Sequence, residues 1–358
     1  MDSRIERLMA MLPRETDCAL INSDINRRYF TGMLSSAGTL LVFREKAYLI
    51  IDFRYIEKAR NTARNCEVIL QEELYGQIKK LLLKHGAKRI SLESMELTLS
   101  KFEQLREKLG DTAEFDSSNA LSKAIYACRT VKEPSEIEKI RSAQKLAEEA
   151  FDHILGFIHE GVTEREIQLE LDFTMLRLGA EELSFPTIAL TGTSTSMPHG
   201  VPSDDRKVEK GDFVLMDYGA VVDGYHSDMT RTVAVGKPSE EMKRVYNVVL
   251  EAQEKALAAV RSGITGQQLD AAAREHIAKA GYGENFGHSL GHGVGMEIHE
   301  YPGASPSSTP VLRSGNVVTV EPGIYLPGKF GVRIEDFVLV TENGCENLTH
   351  APKNMIIL

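Results

Sequence analysis

Short apolar runs alternate with amphipathic segments along the first third of the chain. Residues 39–53 (TLLVFREKAYLIIDF) contain two apolar runs around a charged triplet, which predicts two strands joined by a turn. Residues 74–86 (LYGQIKKLLLKHG) have the period of a helix that a glycine ends, and residues 89–93 (RISLE) predict the next strand. Strands that alternate with helices are typical of an α/β domain, which we predict over residues 1–125.

The remaining chain contains an internal repeat. The segments that begin at Glu149 and Glu251, 102 residues apart, share a helix, a Gly-[Val/Ile]-Thr turn and a second helix that ends at a glycine. Pro134 stands where proline is favoured in the first turn of a helix, so we expect a long helix to begin there. We therefore predict a second domain over residues 134–358, built as a duplicated α+β unit.

Each half of the repeat also carries acidic residues at strand positions. Residues 210–220 (KGDFVLMDYGA) align with residues 314–324 (SGNVVTVEPGI), and an acid follows the apolar run in each. The acids at strand positions in the two halves are Asp217, Asp228, Glu321 and Glu335. Carboxylates are poorly solvated beside apolar strands, and unpaired charge there is costly. If these acids converge, divalent cations would remove their mutual repulsion.

Residues 286–300 (FGHSLGHGVGMEIHE) hold three of the ten histidines: His288, His292 and His299. His288 and His292 are four residues apart and would share one face of a helix. Four glycines in the same stretch disfavour a helix, so we predict a strand or loop in which the backbone approaches a neighbour closely. Four carboxylates with one imidazole suit Mn²⁺, Co²⁺ or Zn²⁺ better than a metal that prefers thiolates.

Composition narrows the classes of function. A net charge of −10 disfavours a nucleic-acid-binding surface. No stretch approaches the roughly 18 apolar residues that a membrane span needs, and the N-terminal residues lack the apolar core of a signal peptide. The four cysteines are far apart, which predicts reduced thiols and excludes a cysteine-built zinc site. We therefore expect a cytoplasmic protein that binds neither nucleic acid nor membrane.

The motifs of the second domain resemble the pita-bread metallopeptidases, which include aminopeptidase P, Xaa-Pro dipeptidase (prolidase) and methionine aminopeptidase. The matching segments are, in order, MPHG (197–200), the two aspartates, HSLGHGVG, IHE, EPGIY and GVRIED, and they cover nearly all of residues 134–358. RRYFTG (27–32) and DFRY (52–55) are similar to the smaller domain of the prolidase and aminopeptidase P branch, which methionine aminopeptidases lack. The resemblance implies an α+β chain with a C-terminal duplicated pita-bread fold after a smaller creatinase/prolidase-like α/β domain.

The resemblance also implies a site. Two divalent ions per chain, with Mn²⁺ favoured over Co²⁺ or Zn²⁺, would be held by Asp217, Asp228, His292, Glu321 and Glu335. Asp228 and Glu335 would bridge both ions, and Glu321 would also carry the proton. The implied catalytic and substrate-binding histidines are His199, His288 and His299. Tyr325 and Arg333, beside the two glutamates, are candidate substrate contacts, although a role in supporting the ligands explains them equally well.

The family's substrates are peptides with a proline after the scissile bond, and relatives with this N-terminal domain are commonly homodimers, so we expect a homodimer. Dedicated prolidases often place an arginine just beyond H-E-x-P to bind the dipeptide's carboxylate, whereas Gly303 stands here. We therefore predict an Xaa-Pro aminopeptidase, with an Xaa-Pro dipeptidase as the alternative. A non-catalytic peptide-binding protein and a metal-free hydrolase that resembles creatinase are disfavoured, because all five ligand positions are filled. Pro186, where relatives often have an acid, has no explanation from the sequence.

Overall fold

The computed structural model describes residues 3–358 and divides the chain into two units, Met1–Arg129 and Thr130–Leu358. The first unit contains one six-stranded sheet, whose strands are β1 Cys18–Ile21, β2 Thr39–Phe43, β3 Ala47–Ile51, β4 Glu67–Leu70, β5 Arg89–Leu92 and β6 Glu114–Asp116. Its helices are α1 Ser3–Met11, α2 Asp24–Thr31, α3 Ile56–Thr62, α4 Leu74–His85, α5 Leu99–Leu109 and α6 Ala120–Thr130.

The sheet of the first unit has the strand order β4-β3-β2-β1-β5-β6. The pairs β1–β2 and β2–β3 are antiparallel, and the three other pairs are parallel. Every residue of β2 and β3 is buried, which explains their uninterrupted apolar runs. The two predicted strands, the helix that stops at Gly86 (φ 62°) and the following strand are all confirmed.

The second unit contains four α-helices, two short 3-10 helices (Gly192–Ser196 and Gly283–Asn285) and thirteen strands among the described residues. The helices are α7 Pro134–Leu155, α8 Glu164–Arg177, α9 Glu240–Ala259 and α10 Gly266–Lys279. The strands are β7 Glu182–Leu183, β8 Ile188–Thr191, β9 Phe213–Tyr218, β10 Ala220–Val222, β11 Tyr225–His226, β12 Met229–Ala234, β13 Gly291–Gly293, β14 Glu300–Ala304, β15 Val317–Val320, β16 Gly323–Leu326, β17 Phe330–Arg333, β18 Asp336–Val340 and β19 Cys345–Asn347. Pro134 occupies the first turn of α7, as predicted.

The four sheets of this unit have the orders β11-β10-β7, β12-β9-β8, β14-β13-β15-β18-β19 and β16-β17. Two long antiparallel hairpins matter for the site, β9–β12 and β15–β18, and in each of them two short strands lie in the connection between the long strands. None of the helices within residues 3–358 is long and apolar enough to cross a membrane.

The predicted internal repeat is confirmed by local geometry. Thr163 begins α8 and Thr265 begins α10, and each forms a capping box with the residue three positions later. Gly161 and Gly263, two residues before these caps, have the same positive φ of 93°. The second helix of each pair thus begins at the same type of turn in both copies.

The repeat extends into the cores of the two halves. Buried residues at matching positions of the helices and strands are Ala147 and Val249, Ile167 and Leu269, Leu171 and Ala273, Val214 and Val318, and Met216 and Val320. Each half therefore packs its own helix pair on its own hairpin, and the same face of the hairpin strand is buried in both. The period of two in the strands leaves the intervening side chains to face the opposite side, where the acidic residues lie.

Candidate active site

Two equivalent hairpins supply the four acidic residues. Asp217 lies in β9 opposite Thr230, and Asp228 immediately precedes β12. Glu321 immediately follows β15, and Glu335 immediately precedes β18. The fold thus gives each half one acid near the end of the first hairpin strand and one before the second strand, whereas the sequence predicted only that the four acids lie at strand positions.

Three of the predicted ligands form one close group, Glu321 lies next to His292, and Asp217 lines the same cavity. Asp228, His292 and Glu335 each offer an atom within 4.8 Å of the others. The Nε2 atom of His292 lies 3.4 Å from Asp228 Oδ2 and 3.4 Å from Glu321 Oε1. Nδ1 of His292 lies 3.0 Å from the carbonyl oxygen of Gly293, which can only accept a hydrogen bond. The Nδ1 atom therefore carries the proton, and Nε2 is the nitrogen that faces the carboxylates.

His292 lies in β13, and its glycine-rich surroundings have a steric cause. A Cβ atom on Gly291 would lie 2.1 Å from the carbonyl oxygen of Thr319, and one on Gly293 would lie 2.7 Å from that of Glu300. The neighbouring strands approach these positions too closely for any side chain. The prediction of a strand or loop with close backbone approach is confirmed, and a helical histidine site is excluded.

Two threonines orient the ligands. Thr319 Oγ1 donates a hydrogen bond of 3.1 Å to Glu321 Oε1 and accepts one of 3.0 Å from the backbone N–H of His292. Thr230 Oγ1 donates one of 2.7 Å to Glu335 Oε2. Such contacts fix ligand orientation before a metal binds.

A hydrogen-bonded chain runs from Asp217 to His288. The Arg333 guanidinium pairs with Asp217 and donates to the Tyr325 hydroxyl at 2.8 Å. The hydroxyl lies 2.9 Å from Nε2 of His288, whose Nδ1 donates to the carbonyl of Ser289. Both nitrogens of His288 are therefore engaged, and its side chain is neutral: burial, followed by the charge of Arg333, lowers its pKa to about 4.

The same hydrogen bonds show how the protein holds Tyr325 and Arg333, the two residues that the sequence left open as substrate contacts. Arg333 is only 3% exposed, and its nitrogens already contact Asp217, Tyr325 and Thr230. Tyr325 is buried and bonded to Arg333 and His288. Arg333 is positioned to support the predicted metal ligand Asp217, and Tyr325 supports Arg333. Every polar side-chain atom of the two residues has a partner within the protein.

The acidic cluster carries more negative charge than its neighbours neutralise. Burial above all, with the charge of Asp217 adding to it, raises the pKa of Asp228 to about 6. Burial and the Asp228 charge raise the pKa of Glu321 to about 7, and burial with the neighbouring acids raises that of Glu335 far above its usual range. Burial alone would lower the pKa of His292, but Asp228 and Glu321 raise it to about 9.

Two buried carboxylate oxygens of the cluster, Asp217 Oδ1 and Glu335 Oε1, lack a hydrogen-bond partner within the described part of the chain. Orphaned acceptors of this kind are costly unless a cation or a donor meets them. Carboxylate oxygens and an imidazole nitrogen with its Nδ1 proton fixed by a carbonyl form a donor set that fits divalent cations. The residues present are therefore suited to hold metal.

A cavity of about 820 Å³ opens onto this cluster. Of the ten residues that the sequence predicted for the site, nine line it: His199, Asp217, Asp228, His288, His292, His299, Glu321, Arg333 and Glu335. Tyr325, the tenth, lies behind Arg333. The ring centroid of His299 is 4.3 Å from that of His292, and burial with the His292 charge lowers the pKa of His299.

The cavity also includes residues that the motifs did not indicate. Pro186 lines one wall, although nothing in the structure explains why a proline replaces the acid that relatives often carry. Arg165 and Gln168, near the start of α8, line the cavity as well. The sequence indicated this helix start only through its Gly-Val-Thr turn, which does not predict the direction of the two side chains.

The comparisons with known proteins agree with this fold. Residues 138–342 match the model of metallopeptidase family M24, and residues 4–131 match that of the creatinase/prolidase N-terminal domain. An Xaa-Pro dipeptidase of Pyrococcus horikoshii is 38% identical over 99% of both chains.

Two solved structures are similar over nearly their whole length. An Xaa-Pro dipeptidase from Bacillus anthracis has a TM-score of 0.95 at 42% identity, with 99% of both chains covered. An X-Pro aminopeptidase from Thermotoga maritima has a TM-score of 0.92 at 39% identity, with 98% of this chain and 100% of that chain covered. The predicted pita-bread fold, which follows a creatinase/prolidase-like domain in the sequence, is confirmed. The chain belongs to metallopeptidase family M24 and is a peptidase.

Proposed function

We propose that the chain hydrolyses the bond that precedes proline in Xaa-Pro dipeptides and that it uses two divalent ions, with Mn²⁺ favoured. The observation that carries the proposal is the convergence of four carboxylates and one imidazole in a cavity large enough for a small peptide. The relatives named Xaa-Pro dipeptidase favour dipeptides over the aminopeptidase activity that the sequence argument preferred. The X-Pro aminopeptidase among the similar structures supports the other choice more weakly.

Five residues would hold the ions: Asp217, Asp228, His292, Glu321 and Glu335. When bound, such ions polarise a carbonyl oxygen and make a nucleophile available near neutral pH. Oxygen-rich ligation is the reason to favour Mn²⁺. Within the chain, Thr319 and Thr230 keep the glutamate oxygens directed at the centre, so their carboxylates need no reorganisation when substrate binds.

Glu321 is the best-placed proton carrier of the cluster. Its carboxylate lines the cavity, lies 3.4 Å from His292 and accepts a hydrogen bond from Thr319. It would accept a proton from the attacking water and deliver it to the proline nitrogen that leaves. His199 and His299, both in the cavity wall, would hydrogen-bond the substrate carbonyl.

The decisive test measures kcat/KM for an Xaa-Pro dipeptide and for the matching Xaa-Pro-Yaa-Zaa peptide with the Mn²⁺-loaded chain. We expect the dipeptide to be preferred by about tenfold or more, because it alone presents a carboxylate directly after proline. Chelation should abolish the activity, and Mn²⁺ should restore it. Preference for the longer peptide would establish the aminopeptidase instead, and activity that survives complete metal removal would reject the metal-dependent mechanism.

The predicted role of His299 can be separated from metal binding. His299→Ala should leave the metal content unchanged and lower kcat by about 10²–10³, because it removes one donor to the developing oxyanion. Metal analysis and steady-state kinetics check this. His153→Ala is the matched control, since His153 is exposed and pairs with Glu170 on the outside of the unit. A loss of bound metal in the His299 variant would show that this histidine supports the ligands instead.

A further inference from the structure

We propose that Arg165 binds the C-terminal carboxylate of the substrate; this inference rests on the proposed cleavage of Xaa-Pro dipeptides. A dipeptide places its carboxylate inside the cavity, and a carboxylate removed from water without a cation is costly. Gly303, at the position after H-E-x-P, offers no charge. The cation must therefore come from another part of the cavity wall.

Among the described residues, the cavity has two arginines and no lysine in its lining: Arg165 and Arg333. Arg333 is 3% exposed and already pairs with Asp217, as well as donating to Tyr325 and Thr230. Each of its three guanidinium nitrogens thus has a protein partner, and the group is held against Asp217. Arg333 is therefore unsuited to recognise substrate.

The guanidinium of Arg165, by contrast, is accessible from the cavity. Its side chain is 36% exposed, and its Nε lies 3.6 Å from Asp204, whose own side chain is 79% exposed. Its Nη1 donates to Gln168 at 2.6 Å, so one edge of the group is held within the protein. An exposed ion pair of this length contributes little, and an incoming carboxylate can replace Asp204 with a paired, two-bond contact.

The backbone that carries Arg165 is fixed. The carboxylate of Glu164, 1% exposed, accepts hydrogen bonds from the backbone N–H groups of Thr191 and Ser203. The N–H of Arg165 in turn donates to the carbonyl of Ser203 at 3.2 Å. A rigid helix start is a good base for a recognition group, because less order is lost when ligand binds.

The same contacts place Arg165 within reach of the reacting centre. Ser203 is four residues from His199, and four extended residues span at most about 14 Å. Residues 198–202 line the cavity throughout this connection. The start of α8, which carries Arg165, therefore lies near a peptide bond bound at His199, on the same wall of the cavity.

The test compares an Xaa-Pro dipeptide with the corresponding Xaa-Pro amide, which lacks only the carboxylate, on the Mn²⁺-loaded chain. Arg165→Gln should lower kcat/KM for the acid by about tenfold or more, mainly through KM, and change the value for the amide less than about twofold. Arg165→Lys should recover part of the loss, because the charge remains. Arg206→Gln is the matched control, since Arg206 bonds to Thr193 nearby and does not line the cavity.

Equal losses for acid and amide, or no loss for either, would overturn the role of Arg165 while leaving the proposed function intact. A wild-type chain that cleaves neither compound would instead overturn the proposed function. If Arg165→Gln unfolds, Asp204→Asn still decides: removal of the competing carboxylate should lower KM for the acid and leave that for the amide unchanged. An Asp204→Asn variant with unchanged KM for both would count against the proposal.

Discussion

Asp228→Asn is expected to lower hydrolysis of an Xaa-Pro substrate by about a thousandfold and to cost at least one bound metal per chain. Asparagine keeps the size of the side chain but removes one negative charge from the centre of the cluster, where Asp228 is 4% exposed and lies 3.4 Å from His292. A metal site contributes several kcal/mol to transition-state stabilisation, and each 1.4 kcal/mol is a factor of ten in rate.

The measurements are metal content by elemental analysis and kcat/KM at saturating Mn²⁺. Asp223→Asn is the matched control, because Asp223 makes only a long, exposed pair with Lys139 and its positive φ of 49° is one that asparagine tolerates. Normal metal content and normal turnover in the Asp228 variant would show that the assignment of ligands is wrong.

Arg231→Met is expected to lower the free energy of unfolding of the second unit by about 3–5 kcal/mol, because it removes one of the two cations beside a buried carboxylate and the donor to four backbone carbonyls. Arg231 is 1% exposed and pairs at 2.8 Å with Asp336, which has no exposed surface. The same guanidinium donates to four backbone carbonyls: Thr230, Glu335, Ala351 and Pro352. Lys353 alone would remain to balance Asp336.

Urea denaturation of the metal-free chain, followed by far-UV circular dichroism, checks this prediction; the chain has no tryptophan for fluorescence. Arg177→Met should change stability by less than about 0.5 kcal/mol, because Arg177 is exposed and only lies over the ring of Phe173. A similarly small effect of Arg231→Met would mean that Lys353 suffices for Asp336.

The strand positions of the four acids could be predicted from the sequence because each acid lies beside a run with strand periodicity, whereas their assignment as metal ligands came from the resemblance to the metallopeptidases and stays a prediction. The repeat then doubled the evidence, since Asp217 and Glu321 hold equivalent places in two strands. The glycines around His292 were informative for a similar reason: their requirement is local and steric. Features that depend on short stretches of chain are therefore accessible without a structure.

The sequence could not predict which polar residues pair when they are far apart in the chain. Glu335 and Asp336 are adjacent acids, yet alternation along β18 turns one to the cavity and the other to Arg231, more than a hundred residues away. Neither that choice nor the chain from Arg333 to His288 has a signal in the sequence pattern. The direction of Arg165 depends on how α8 packs on the loop that ends at Ser203, which also lies beyond local periodicity.

Because the predicted ligands come from both repeats, bound metal would also stabilise the fold of the second unit. Asp217 and Asp228 come from the first repeat, and His292, Glu321 and Glu335 from the second. Ions held by this set would connect segments that are far apart in the chain and would stabilise the folded unit, because the site does not exist in the unfolded chain. The predicted ligand set is lost when either repeat unfolds, so bound metal and the folded structure of the whole unit should be lost together.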